Sequence, residues 1–131
     1  MTNIDELEGR ALAEAVALKL GWTYVSTTPG GHGYWEDSKG SYQFGGADYR
    51  PDRDIAQAWE LDGEGWYWSD SETGLGDRYR VNARVVMRCP NEDGTRDRFE
   101  ASALFADHDT KAAAYATARC RAFLKAKAES P

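Results

Sequence analysis

Apolar positions recur along this chain with two different periods, and each change of period marks an element. From Asn3, the residues Ile4, Leu7, Ala11, Ala15 and Leu18 step by three and four while Glu6, Arg10 and Glu14 mark the opposite side, which predicts an amphipathic helix with one core face and one solvent face. Asn3 is its cap, Glu6 stands where a capping box needs it, and Asp5 and Glu6 suit the positive end of the helix dipole. Gly21 is the expected stop, with Trp22 folding back on the last turn. "WTYVSTT" from Trp22 reads as a short strand. After residue 51, Asp52 is the expected cap of a short helix with Ile55, Ala58 and Trp59 on one buried face, ended by Gly63. "WYWS" at 66–69 has strand-type residues. Strict alternation then sets Tyr79, Val81, Ala83, Val85, Met87 and Cys89 against Arg78, Arg80, Asn82, Arg84 and Arg88, as in a half-buried strand. "PNEDGT" turns the chain into a partner strand alternating through Phe99, Ala101, Ala103 and Phe105. Asp109 or Thr110 caps a last helix with a seam of Ala113, Ala116, Cys120, Phe123 and Leu124, its lysines and arginines expected in solvent.

The order predicts an α+β fold, an antiparallel meander of three to four strands packed with N-terminal, short central and C-terminal helices in a layered α/β sandwich. All 131 residues fit one domain, with a long glycine- and aromatic-rich loop at about 27–51. That segment holds six glycines and the rings of Tyr34, Trp35, Tyr42, Phe44 and Tyr49. Ordered loops beyond about 12–15 residues are uncommon and usually functional. We expect Tyr49 and Phe44 to pack on the domain, and His32, Tyr34 and Trp35 to form an exposed partner-binding surface at the glycine-flanked tip.

Composition narrows the classes. With 41% hydrophobic residues and five tryptophans the chain can build a core. No apolar run approaches the roughly 20 residues that span a bilayer, and the acidic start is unlike a leader, so a soluble, cytoplasmic protein is expected. A net charge of -6 argues against non-specific nucleic-acid binding and leaves room for a basic protein partner. Cys89 and Cys120 lack metal or disulfide spacing, and buried free thiols are expected.

Four stretches carry a family likeness: Gly21-Trp22, "DIAQAW" at 54–59, the tryptophan-led strand at 66–68, and "ATARCRAFLKA" at 116–126. Together they resemble the small phage and prophage proteins of the ABA-sandwich family. In that family a Ser or Thr cap usually precedes the "DIA", whereas "RPDRD" stands here. The resemblance implies a layered α/β fold and a phage or prophage origin, hence the cytoplasm of a bacterial host, and it implies no reaction.

Candidate chemistry is sparse. Neither His32 nor His108 sits in a recognised nucleophile or metal-ligand pattern. His108 in "DHDT" suits helix-capping chemistry or a carboxylate-histidine site, and either histidine with Asp37 or Asp109 would be needed for a small hydrolase or transferase. Arg80, Arg84 and Arg88 form a secondary candidate anion-binding stripe, unless they pair across strands with Asp97 and Glu100. The expectation is therefore a non-enzymatic binding protein, an anti-defence inhibitor that occupies a host protein or sequesters a small nucleotide-like ligand, with no metal and no cofactor.

Overall fold

The computed structural model describes residues 3–26 and 33–129. Its helices are α1 (Gly9–Lys19), α2 (Ile55–Trp59) and α3 (Lys111–Glu129); its strands are β1 (Thr23–Ser26), β2 (Gly33–Glu36), β3 (Tyr42–Gly45), β4 (Trp66–Thr73), β5 (Arg80–Met87) and β6 (Arg98–Leu104). The strands form two antiparallel three-stranded sheets in the orders β1-β2-β3 and β4-β5-β6. The architecture is α+β and layered. α3 lies across one face of β5 and β6, and α1 and α2 pack on α3. Ala114, Ala118, Ala122 and Ala126 are fully buried at every fourth position of α3, and such small side chains let neighbouring elements approach closely. Val81, Ala83, Val85, Ala101 and Ala103 meet it from the sheet, as their alternation predicts.

Several expectations are corrected, each for a local reason. The 27–51 segment is not simply a loop, because β2 and β3 lie within it and pair with β1 to make the first sheet. Its turn is held by Asp37, whose carboxylate accepts from the backbone N–H groups of Lys39 and Ser41 and from the Gln43 amide. Asn3 caps only a single 3-10 turn, Ile4–Glu6, and not a continuous helix. Leu7 and Glu8 are extended, and Gly9, the first residue of α1, turns the chain at φ 61°. The helical phase is thereby reset. Leu12, Ala13, Val16 and Ala17 are buried instead of the Ala11–Ala15–Leu18 seam, and Leu18 is 63% exposed.

α1 ends as expected: Trp22 N–H donates to Ala17 O and Gly21 N–H to Leu18 O, a Schellman motif with Gly21 at φ 85°. α2 is capped by Asp54, which accepts from the N–H groups of Ala56 and Gln57, and not by Asp52. Asp52 is instead buried in a two-bonded ion pair with Arg50. Trp59 is half exposed rather than buried, because in this one-and-a-half-turn helix only Ala58 is fully covered. Cys120 is buried but Cys89 is exposed beyond the end of β5. The basic residues of α3 are not all solvated: Arg119 is 7% exposed, and Arg121 and Lys125 reach backbone carbonyls of Ser102 and Glu100. Among the described residues no helix is long and apolar enough to cross a membrane.

Candidate functional site

The first sheet aligns Tyr24, Trp35 and Phe44 in one cross-strand row, so their rings share a face. Phe44 joins Trp22 and Tyr49 in a cluster with centroids 4.8 to 6.0 Å apart, and Tyr49 is buried. Trp35 is only 6% exposed, and the Tyr24 ring meets it edge-on at 5.3 Å. Tyr24 itself is 45% exposed. Its ring rests on glycine backbone: a Cβ on Gly46 would lie 2.8 Å from Tyr24 Cε2, and one on Gly33 would strike the same ring. Bare backbone at these positions is what lets the ring lie flat.

Between this face and α1 opens a cleft of about 760 Å³. Tyr24 and Trp35 supply aromatic surface, Gly33, Gly45, Gly46 and Ala47 supply backbone, and Arg10, Glu14 and Leu18 come from successive turns of α1. Asp48 completes the rim. Among the described residues Arg10 and Glu14 make no ion pair and no side-chain hydrogen bond, so both charges remain available to a guest. The cleft thus combines an aromatic floor with one guanidinium and two carboxylates. None of its charged groups was singled out by the sequence as a site, and of the expected binding residues that the structure describes, Tyr34 and Trp35, only Trp35 lines it.

The other predicted residues scatter. His32 lies outside the described residues. Tyr34 follows the strand alternation to the opposite face from Trp35, where it sits 5.6 Å from the exposed Tyr42. Trp35 is therefore not an exposed tip residue, and the expected trio does not share one surface. On the second sheet Arg84 is engaged with Glu100 through Nε at 2.9 Å and Nη2 at 2.8 Å, the cross-strand pairing weighed above. Arg88 Nε donates to Trp66 O, and Arg80 borders a shallow hollow with Asp5, Glu6, Glu8, Glu100 and Asp107. Asp97 accepts from Asn91. These arginines do not converge on an anion. His108 is half-buried and makes no side-chain hydrogen bond or ion pair, and Asp37 is committed to its turn. Among the described residues no cluster of three His, Cys, Asp or Glu is arranged to hold a metal.

Two charged constellations went unrecognised in the sequence. The Arg119 guanidinium is sandwiched between the rings of Trp59 at 4.1 Å and Trp68 at 3.9 Å, donates to Ala58 O, and stands 3.7 Å from Asp70. Burial pushes this guanidinium down to about 10, opposed by the Asp70 charge, while burial raises Asp70. Glu72 accepts from Tyr115 at 2.7 Å, and the Tyr115 and Tyr79 hydroxyls hold its carboxyl below the usual range while it raises both phenols, Tyr115 to about 12. An i,i+4 or alternation count could not pair residues this far apart in the chain.

Comparison with protein families, with curated proteins and with solved structures finds no match for the chain.

Proposed function

We propose that the chain is a non-enzymatic binding protein whose small-ligand site is the cleft between α1 and the first sheet. The observation that carries this is the pairing of an aromatic floor with unspent charges in a concavity of about 760 Å³, within the roughly 300–1,000 Å³ typical of ligand pockets. The half-exposed Tyr24 ring offers a stacking surface for a planar ring. Arg10 would take a carboxylate or a single phosphate, and Glu14 and Asp48 would take amine or hydroxyl donors. Two carboxylates beside one guanidinium disfavour a polyphosphate, so a nucleoside, a nucleoside monophosphate or an aromatic zwitterion fits this charge pattern better than a triphosphate. In the phage setting that the resemblance implies, such a protein would act by sequestering a nucleotide-like ligand of the host rather than by converting it.

The test is a thermal-shift series with nucleosides, nucleoside mono- and triphosphates and aromatic amino acids. A ligand at 100 times its Kd stabilises the native state by about 2.7 kcal/mol. The shift should vanish in Arg10→Ala and Tyr24→Ala and persist in Tyr42→Ala on the opposite face. No shift with any member of the series, or one indifferent to both cleft variants, overturns the reading.

A further inference from the structure

We propose that the free edge of β4 is a docking site for an extended, arginine- or lysine-rich strand of a partner protein. It shares no residue with the cleft and does not depend on it.

Backbone pairing fixes which groups are free. Met87 N–H donates to Asp97 O on the β6 side of β5, and Arg88 N–H to Gly65 O on the β4 side. In an antiparallel ladder these roles alternate, so Tyr67, Ser69, Ser71 and Thr73 turn their backbone groups to β5 while Trp66, Trp68, Asp70 and Glu72 turn theirs outward. Trp66 is satisfied locally, its N–H by Gly63 O and its carbonyl by Arg88. The backbone groups of Trp68, Asp70 and Glu72 have no hydrogen-bond partner among the described residues.

The opposite edge of the same sheet is treated differently. The outward carbonyls of β6 are taken by α3, Ser102 O by Arg121 and Glu100 O by Lys125. Edges left open are where a further strand adds, and proteins usually cover or charge them. On β4, residues Asp70 to Thr73 are all exposed, although the Asp70 and Glu72 side chains are only 20% and 29% exposed. Their carboxylates are drawn inward to Arg119, Tyr115 and Lys111, so what stands in water is the backbone itself. Those inward ties also hold the strand straight before any partner arrives, which lowers the ordering cost of strand addition.

Charge selects the occupant. From Asp54 to Asp77 the chain carries seven acidic residues and no lysine or arginine; Asp54 caps α2 and Asp70 and Glu72 are met by Arg119 and Lys111, which leaves Glu60, Asp62, Glu64 and Asp77 without an ion pair among the described residues. A second β4 would set this acidic segment against itself, whereas a basic strand meets complementary potential. Trp59 is half exposed and Tyr67 partly so, and rings at such an edge receive guanidinium groups as Trp59 already receives Arg119.

The probes are three blocked peptides as long as β4: one alternating arginine with valine, one alternating glutamate with valine, and the arginine peptide N-methylated at every residue, so that neither of its edges can donate. Amide hydrogen exchange by NMR is followed at Trp68, Asp70 and Glu72. With the arginine peptide at ten times its Kd, exchange at these amides should slow roughly tenfold, and neither control peptide should do this. No binding, binding that leaves these amides unchanged, or equal protection by the N-methylated peptide overturns strand addition. Equal protection by the glutamate peptide overturns the charge assignment. Protection that grows with protein concentration alone, together with a doubled mass in sedimentation, gives the edge to a second copy and overturns the basic partner.

Discussion

Truncating Phe123 and truncating Trp59 should have very different effects, although both occupy apolar helix positions in the sequence. Phe123 is fully buried and meets the Trp66 ring edge-on at 6.0 Å. Its replacement by alanine removes a whole ring from a packed interior, a loss of about 3–5 kcal/mol against a total stability of about 5–15 for a domain. Trp59 is 50% exposed, and its principal contact is the Arg119 guanidinium at 4.1 Å. Arg119 keeps the Trp68 ring, Ala58 O and Asp70 when Trp59 is gone, so Trp59→Ala should cost only the one stacking contact, roughly 0.5–2 kcal/mol. For a chain of this length 1 kcal/mol corresponds to roughly 3–5 °C in Tm. Phe123→Ala should therefore melt roughly 10–20 °C lower than the wild type, and Trp59→Ala less than about 10 °C lower. Scanning calorimetry, with urea unfolding to confirm a common m-value, reads both. Equal losses would refute the argument, because they would mean that Trp59 is held as a core residue and that the half-exposed stack on Arg119 is not its environment in solution.

Two more outcomes follow from the same contacts. The Glu72 carboxyl is held below its ordinary value of 4.5 by the Tyr115 and Tyr79 hydroxyls, so its contribution is full above that pH and is lost as the pH falls below it; the Tm gap between wild type and Glu72→Gln should be widest near neutrality and narrow steadily as the pH is lowered below that value, and a pH-independent gap would dismiss the linkage. Gly46→Ala puts a Cβ 2.8 Å from the Tyr24 ring and 3.1 Å from Gly33 O, which should destabilise by about 1–3 kcal/mol, and a double-mutant cycle should find part of that loss relieved in Tyr24→Ala; strict additivity would show that the ring does not lie on this glycine.

The second sheet was legible because its strands are long and lie on a helix with one face only. Val81, Ala83 and Val85 alternate with Asn82 and Arg84 over enough residues to reveal a period of two, and Ala101 and Ala103 repeat it on the partner. α3 was legible for its length and its Thr110 cap, which accepts from Ala113 N–H. Of the first sheet only β1 was, as the short strand expected in "WTYVSTT". β2 and β3 have four residues each, too few for alternation to stand out, and glycines at both ends of the segment mimic a loop. Those glycines serve packing instead: Gly33 and Gly46 leave space for Tyr24, a contact between residues on different strands that no local pattern encodes.

Besides the unread strands of its floor, the cleft escaped notice for a second geometric reason, the reset at Gly9. At 3.6 residues per turn, one residue of phase rotates every later side chain by about 100° around the helix axis. A helix running unbroken from Asn3 would bury Leu18 with Ile4 and Leu7 and leave Arg10 and Glu14 as an ordinary solvated pair. With the extended break at Leu7 and Glu8, the buried stripe becomes Leu12, Val16 and their neighbours, and Arg10, Glu14 and Leu18 swing together toward Tyr24 and Asp48. The same rotation explains an apparent fault and a proposed site at once. Leu18 stands 63% exposed because it borders the cleft, and two unspent charges stand on the turns preceding it. One exposed leucine or a solvated charge alone is ordinary surface; it is their convergence with the Tyr24 ring on one concavity that is the physical reason to look for the ligand there.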